Sequence, residues 1–143
     1  MNSNVNVLYR TSARATGGRD GKASTLDGSF EVALAIPKEL GGPGGAGNNP
    51  EQLFAAGYAA CFLNGMKVIA RESRLSFPSD ASVTSTIGLG PRTEGGFGLT
   101  ATMAVSIPGM DRQKAEDLIR KTDSVCPYSN AVRDNVAVTF TLE

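Results

Sequence analysis

The sequence NPEQLFAAGYAACFL, residues 49–63, determines much of the architecture, because a helix start immediately precedes an apolar run. Asn49 suits the N-cap, Pro50 suits the first helical position, and Gln52 can reach back to the cap as in a capping box. The pattern predicts a long helix that continues to about residues 71–73, or that breaks at one of its two glycines.

Strand patterns lie on both sides of this helix. They predict three strands before it, a hairpin of two strands after it, and then a second helix and a last strand. In chain order these elements cover residues 5–15, 22–26, 29–36, 49–73, 83–89, 98–107, 112–124 and 136–142. The order β-β-β-α-β-β-α-β is not a βαβ series, so we expect an α+β fold. A chain of 143 residues is expected to form a single domain, 1–143.

The composition argues against several classes of protein. Fourteen basic residues balance fourteen acidic ones, so no nucleic-acid partner is expected. The first six residues lack the basic start and apolar core of a signal peptide, and two cysteines are too few for a secreted disulfide scaffold. A cytoplasmic protein is therefore expected.

Residues 53–70 form the one stretch that invites a membrane interpretation, because only Asn64 and Lys67 among these 18 residues are strongly polar. A spanning helix needs about 20 apolar residues. This stretch is rich in alanine and glycine, and it has no aromatic belt or basic flank. A helix buried in a protein core is the favoured prediction, and no membrane association is expected.

The glycine-rich segment GPGGAG, residues 42–47, formally matches the pattern G-x-G-x-x-G. A dinucleotide site also needs a tight strand–loop–helix junction and a parallel second strand, whereas an antiparallel hairpin is predicted after the helix. Zinc is disfavoured in a chain that offers two cysteines and no histidine. We therefore expect no cofactor and no metal.

The two cysteines carry the most chemical information. Cys61 lies in the apolar helical stretch, and Cys126 lies 65 positions further on, before Pro127, in a run typical of a turn near the surface. Because the chain has no histidine, a reactive sulfur must be activated by another group. This arrangement favours dithiol redox chemistry, although a buried and inert thiol is the competing interpretation of Cys61.

Arg19 and Glu51 are the candidate activators. Arg19 is isolated in the glycine turn 17–21, where its guanidinium could hold a thiolate or could simply be solvated. Glu51, at the second helical position, could orient an arginine or could only favour the positive helix N-terminus. A straight helix would place Glu51 about 15 Å from Cys61. The two can share a site only if the helix breaks near Gly57, a long arginine spans the gap, or a partner subunit contributes.

Four segments resemble the organic hydroperoxide resistance (Ohr) proteins of the OsmC-like superfamily. Residues 49–62 are similar to the first-cysteine motif of that family, and residues 125–131, VCPYSNA, are similar to its second-cysteine motif. The segments TGGR, residues 16–19, and PKELGG, residues 37–42, match the family's pattern as well. The resemblance extends over nearly the whole chain.

This resemblance implies antiparallel sheets wrapped around central helices in an intertwined homodimer, with active sites near the subunit interface. It also implies a thiol peroxidase that reduces organic hydroperoxides, including those of fatty acids. In such proteins the first cysteine attacks the peroxide, the second closes a disulfide with it, and an arginine and a glutamate tune the first. These roles fall on Cys61, Cys126, Arg19 and Glu51. A lipoylated protein or another dithiol is the implied reductant.

The residues alone, without the resemblance, leave two other functions open. A general thiol–disulfide oxidoreductase would use the same sulfurs, but the chain lacks a C-x-x-C pair. A non-catalytic domain that binds an apolar ligand would keep both cysteines as inert core residues. Disulfide formation driven by an alkyl hydroperoxide would distinguish the peroxidase from both.

Overall fold

The computed structural model describes residues 4–143. Its backbone forms two compact units, of which the first ends at Pro50 and the second comprises Glu51–Glu143. Within the described residues there are two three-stranded sheets and three α-helices, which confirms the predicted α+β class. That the two units act as a single domain stays a prediction.

The first unit contains a small antiparallel sheet. Its strands, in the order in which they pair, are β1 (Ala13–Thr16), β2 (Lys22–Thr25) and β3 (Glu31–Ala33). A one-turn 3₁₀ helix, Gly18–Asp20, joins β1 to β2. Glycine is required directly after it, because a Cβ at Gly21 would overlap the carbonyl oxygen of Thr16.

The strands of this unit lie where they were predicted, but they are shorter. The strand predicted at residues 5–15 forms only at its C-terminal end, and residues 4–12 lie outside any strand. A strand needs a neighbour for its backbone N–H and C=O groups, so a strand-like composition alone does not produce one. The glycine-rich loop is preceded by a second 3₁₀ helix, Lys38–Leu40.

Helix α1 (Pro50–Glu72) is continuous over 23 residues. It starts at the predicted proline, ends within the predicted range, and does not break at Gly57 or Gly65. Its buried residues repeat at every fourth position, which places them on one face of the helix. The members of that face are Tyr58, Phe62, Met66 and Ala70.

Helix α1 is the only helix within residues 4–143 that is long and apolar enough to cross a membrane. Its buried face, however, belongs to the hydrophobic core of the second unit. A helix that packs one face into a core needs no lipid to cover that face. The structure therefore favours the predicted core helix over a membrane span.

The second unit contains a mixed sheet in the order β4-β5-β6. β4 (Ser82–Pro91) and β5 (Phe97–Ser106) form the predicted antiparallel hairpin. β6 (Ala137–Leu142) is the predicted last strand, but it lies parallel to β5 and so differs from the antiparallel arrangement expected. The reason is the helical connection between the two strands, which crosses over and returns the chain in the same direction.

Two helices form this connection. α2 (Arg112–Val125) matches the predicted second helix, and Asp111 caps it by accepting a hydrogen bond from the Lys114 N–H. α3 (Pro127–Val132) is not predicted by the sequence pattern, because six residues are too few to show a helical repeat. Cys126 lies between the two helices.

The core of the second unit lies where α1, the mixed sheet and α2 meet. Met103 and Val105 of β5 and Leu118 of α2 are almost completely buried there. Phe62 of α1 packs against Phe140 of β6, with ring centroids 5.1 Å apart. This packing holds the middle of α1 against the sheet.

Candidate active site

The fold brings the two cysteines together. The Sγ atoms of Cys61 and Cys126 lie 3.8 Å apart, and both residues are free thiols. Cys61 lies near the middle of α1 and is half-buried, whereas Cys126 is only 1% exposed. Two residues that are distant in the sequence are therefore in contact, which is the geometry that dithiol chemistry requires.

Cys126 occupies a joint between two helices. Its N–H closes the last turn of α2 by donating to the Thr122 carbonyl at 2.8 Å, and its carbonyl accepts from the Asn130 N–H of α3 at 2.9 Å. Pro127 takes the first position of α3, where a backbone N–H would have no partner within the helix, so the lack of one costs nothing. The expectation that Cys126 lies in a turn near the surface is wrong, because the proline starts another helix and the cysteine stays in the core.

The surroundings of Cys61 disfavour its thiolate. Burial raises the pKa of Cys61 above its ordinary value, and the neighbouring Cys126 acts in the same direction. A hydrogen bond from the backbone N–H of Tyr128 lowers the pKa of Cys61, but burial outweighs it. This is the effect expected of a thiol in an apolar helix, and it means that an ionised Cys61 needs a positive charge nearby.

An aromatic cluster forms where Tyr128 of α3 meets two residues of α1 that lie one to two turns before Cys61. The rings of Phe54, Tyr58 and Tyr128 stand with their centroids 5.8 to 6.1 Å apart. The Tyr58 hydroxyl lies 2.9 Å from the Ser129 Oγ in a buried hydrogen bond, which ties α3 to α1. Sequence reasoning did not single out this cluster, although the four-residue spacing of Phe54 and Tyr58 places both on one helix face.

Arg19 and Glu51 lie in different units. Glu51 is half-buried in the first turn of α1. Because α1 is unbroken, ten residues, or about 15 Å along the helix axis, separate Glu51 from Cys61. Arg19 lies in the 3₁₀ helix of the first unit. The activating roles of Arg19 and Glu51 stay predictions, through a spanning arginine or a partner subunit.

The two cysteines are not accompanied by the further ligands that a metal site would need among the described residues. Within residues 4–143, no cluster of three or more cysteine, aspartate or glutamate side chains is arranged to hold a metal ion. Two thiolates alone fall short of the four ligands that structural zinc takes. Two thiols in contact are instead suited to forming a disulfide and opening it again.

Known proteins with similar sequences identify the family. The sequence model for the family described as OsmC-like protein matches residues 42–141. The organic hydroperoxide resistance protein of Xanthomonas axonopodis pv. citri is 49% identical over 142 residues, which are 99% of each chain. The likeness therefore extends over both units.

Solved structures share the fold. An organic hydroperoxide resistance protein OsmC from Legionella pneumophila matches with a TM-score of 0.91 and 45% identity, over 96% of this chain and 98% of that one. The organic hydroperoxide resistance protein OhrB of Bacillus subtilis matches with a TM-score of 0.86 and 35% identity, over 96% of this chain and 100% of that one. The resemblance seen in the sequence and the expected OsmC-like fold are confirmed. This chain therefore belongs to the OsmC-like family, among its organic hydroperoxide resistance proteins.

Proposed function

We propose that this protein is a thiol-dependent peroxidase that reduces organic hydroperoxides to alcohols. Relatives named organic hydroperoxide resistance proteins, at 49% and 35% identity over almost the whole chain, support a role in resistance to organic peroxides. The observation that carries the proposal is the 3.8 Å contact between the Sγ atoms of Cys61 and Cys126. A peroxidase that stores its oxidation in a disulfide needs two sulfurs that can meet.

In the first step the Cys61 thiolate attacks the distal oxygen of the hydroperoxide. An S–O bond forms as the O–O bond breaks, and the released alkoxide takes up a proton and leaves as the alcohol. The peroxide is the oxidant: the sulfur of Cys61 gives up the two electrons that reduce the O–O bond, and Cys61 becomes a sulfenic acid. Because the thiolate is the nucleophile, the rate of this step follows the ionised fraction of Cys61.

In the second step Cys126 resolves the sulfenic acid. Its sulfur attacks the Cys61 sulfur, an S–S bond forms, and the hydroxyl group leaves with a proton as water. A disulfide is about 2.05 Å long, so the sulfurs have to approach by less than about 2 Å from their 3.8 Å separation. Cys61 lies inside the continuous helix α1, whereas Cys126 lies at a joint between two helices, so we propose that the joint supplies most of this movement.

A dithiol then returns both cysteines to thiols by exchange and is itself oxidised to a disulfide. A lipoylated protein, or a free dithiol of the lipoyl type, is the proposed donor. Such a cycle suits a reducing cytoplasm, where cysteine pairs turn over and do not stay oxidised.

Arg19 and Glu51 are proposed to supply what the buried thiol lacks. Burial raises the pKa of Cys61, so a nearby cation is needed to keep a useful fraction of it ionised at neutral pH. A guanidinium keeps its charge at every physiological pH and offers several N–H donors to a thiolate or a peroxide oxygen. Glu51 would orient that guanidinium.

The aromatic cluster supports an organic substrate. Tyr128, whose backbone N–H bonds to Cys61, is partly exposed, and Phe54 beside it is half-buried. An alkyl chain gains free energy by burying its surface against such rings, whereas hydrogen peroxide has no apolar surface to bury. Binding therefore favours the bulkier peroxide.

A homodimer is proposed because the first unit leaves apolar side chains uncovered. Leu8 is 92% exposed and Tyr9 is 80% exposed. Adjacent apolar side chains at this exposure are typical of surfaces that another protein covers. We propose that a second copy of the chain covers these side chains.

Cysteine variants test the peroxidase proposal. The reduced wild-type protein, treated with one equivalent of cumene hydroperoxide, should release the alcohol and lose two hydrogens as the disulfide closes, which mass spectrometry detects. Cys61→Ser should consume no peroxide. Cys126→Ser should react once and then stop, and excess peroxide should carry its sulfenic acid on to sulfinic acid.

Continued turnover of the hydroperoxide by Cys61→Ser would sink the proposal. Reduction of insulin disulfides without any consumption of peroxide would indicate a general thiol–disulfide oxidoreductase. Slow labelling of both native thiols, with no disulfide after treatment, would indicate inert core cysteines.

A further inference from the structure

Two glycines flank Cys61 on the side of α1 that faces Cys126. Gly57 lies four residues before Cys61 and Gly65 lies four residues after it, so the three residues share one face of the helix. We call Gly57, Cys61 and Gly65 the glycine face of α1. Neither flanking residue presents a side chain that would hold another helix at a distance.

The segment that carries Cys126 packs directly on the glycine face. A Cβ at Gly65 would lie 3.0 Å from the Cγ2 atom of Thr122, and a Cβ at Gly57 would lie 2.7 Å from the hydroxyl oxygen of Tyr128. Thr122 lies one turn before Cys126, and Tyr128 lies two residues after it. The two segments therefore meet at three successive turns of α1, at Gly57, Cys61 and Gly65, and the contact between the sulfurs is the middle one.

We infer that Gly57 and Gly65 are positioning residues that set the distance between the two sulfurs for the disulfide-forming step. This inference rests on the proposed peroxidase cycle, because it concerns the attack of Cys126 on the oxidised Cys61. Neither glycine touches the reacting atoms. Each acts by leaving out a side chain, which lets α2 and α3 approach α1 closely enough for the sulfurs to meet.

Gly65 is expected to be the more sensitive of the two positions. The Thr122 side chain is fully buried and β-branched, so it has little freedom to turn away from an added methyl group. The Thr122 carbonyl accepts the Cys126 N–H at 2.8 Å, which passes a displacement of this turn on to the resolving cysteine. Tyr128 is 38% exposed, so its ring is expected to yield more readily than Thr122 to an added methyl group.

The methyl group of Thr122, and not its hydroxyl, makes the contact with the glycine face. The Thr122 Oγ1 atom is buried and has no hydrogen-bond partner within the described residues. A substitution that removes only the methyl group therefore relieves the contact without breaking a hydrogen bond. Thr122→Ser is such a substitution.

The test measures the two chemical steps separately in Gly65→Ala. When the reduced protein is rapidly mixed with cumene hydroperoxide, the Cys61 thiol should disappear within about twofold of the wild-type rate, because the glycine does not touch the nucleophile. Disulfide closure, followed by quenching and mass spectrometry, should be about tenfold slower, since small displacements of reacting atoms are costly. Excess peroxide should then produce more Cys61 sulfinic acid than in wild type.

Two further variants separate positioning from a general effect on the fold. The double variant G65A with T122S should recover most of the wild-type rate of disulfide closure, because the added and removed methyl groups face each other. Gly90→Ala is the matched control, since a Cβ at Gly90 meets nothing within 4 Å. Alanine also favours a helix interior over glycine, so a slower step in Gly65→Ala cannot reflect a weaker helix.

Disulfide closure at the wild-type rate in Gly65→Ala would overturn the inference, and so would a slowed rate that Thr122→Ser does not restore. Should Gly65→Ala fail to fold, Gly57→Ala is expected to slow the same step by a smaller factor, and an unchanged rate there would overturn the inference as well. A wild-type protein that forms no disulfide would instead contradict the proposed peroxidase. The two failures are therefore distinguishable.

Discussion

The two units of this protein differ in how far their apolar side chains are buried. In the second unit, α1, the mixed sheet and α2 enclose a continuous core, and Cys126 belongs to it. Within residues 4–50, Leu34 is the only apolar side chain that is buried, and Leu8 is almost fully exposed. The sulfur pair therefore lies in the unit with its own core, and Arg19 lies in the unit without one.

This difference separates what packing inside one chain supplies from what the proposed homodimer would supply. The contact between Cys61 and Cys126 is produced by packing inside one unit. The first unit is stabilised mainly by backbone hydrogen bonds between its three strands and within its turns. A small sheet of this kind gains stability when another surface covers it. In the proposed cycle, Arg19 acts from the unit without a core of its own, whereas Cys126 acts from within the core of the second unit.

The largest expected effect comes from removing a core side chain of the second unit. Leu118 is 1% exposed, so Leu118→Ala should lower the free energy of unfolding by about 2–5 kcal/mol, through lost burial and the cavity that remains. Urea unfolding followed by circular dichroism measures this change. A loss below about 0.5 kcal/mol, as seen at surface positions, would contradict the described core.

Leu8→Ala makes the same substitution in the first unit. In a lone chain this exposed position should change the free energy of unfolding by no more than about 0.5 kcal/mol. In the proposed homodimer it should weaken self-association, which sedimentation across a dilution series detects. A wild-type protein that is monomeric at every concentration would contradict the dimer.

An intermediate effect is expected when the proposed cation of the first unit is removed. In Arg19→Ala, the proposed cation no longer offsets the effect of burial on the Cys61 thiol, so the pKa of Cys61 should rise above its wild-type value. The ionised fraction at neutral pH falls about tenfold for each unit by which the pKa rises, so the rate of Cys61 oxidation should fall by the same factor as the thiolate fraction. The rate should recover as the pH rises, and the pH dependence of thiol alkylation gives the pKa.

Arg14→Ala is the control for this experiment, because Arg14 is an exposed cation of β1 in the same unit. Its alkylation profile should coincide with that of the wild-type protein. If the profile of Arg19→Ala coincides with it too, Arg19 has no part in activating Cys61.

The smallest expected effect concerns the polar turn between β2 and β3. Asp27 accepts hydrogen bonds from the Ser29 N–H at 3.0 Å, from the Ser29 hydroxyl at 2.7 Å and from the Thr25 hydroxyl at 2.7 Å. These bonds, led by the Ser29 N–H, lower the pKa of Asp27 from 3.8 to about 2. A lowered carboxyl pKa stabilises the folded state above pH 3.8, and that contribution is lost as the pH falls towards about 2.

Asp27→Asn should therefore lower the melting temperature slightly at about pH 5, and this difference should shrink as the pH approaches about 2. Asp80→Asn, at an exposed position outside the turn, controls for the change in net charge. An NMR titration that gives the Asp27 carboxyl an ordinary midpoint would show that the turn lacks these hydrogen bonds.

Local signals suffice to predict α1 and to choose the reacting atoms. The helix start is encoded in neighbouring residues, so α1 begins at the predicted Pro50. With two cysteines and no histidine, sulfur is the natural choice for the chemistry. The contact between the sulfurs was implied only by the resemblance to the Ohr proteins, because it depends on how α2 and α3 pack against α1.

Features that depend on distant parts of the chain were less predictable. Residues 136–142 show a strand with one apolar face, but the direction of β6 beside β5 is set by the helices that return the chain. The burial of Cys126 follows from α3, which is too short to leave a periodic signal. The same limit applies to Arg19 and Glu51, since no local pattern establishes that two residues in different units act together.

The unequal accessibility of the two cysteines would decide which sulfur of the disulfide a reductant attacks. Cys61 is half-buried, whereas Cys126 is sealed within the helix joint. An incoming reductant would reach the outer sulfur first, so the mixed disulfide would form on Cys61 and Cys126 would be the leaving group. A bulky donor protein would thus never become trapped on the inner sulfur, and each turnover would begin with the resolving thiol already restored.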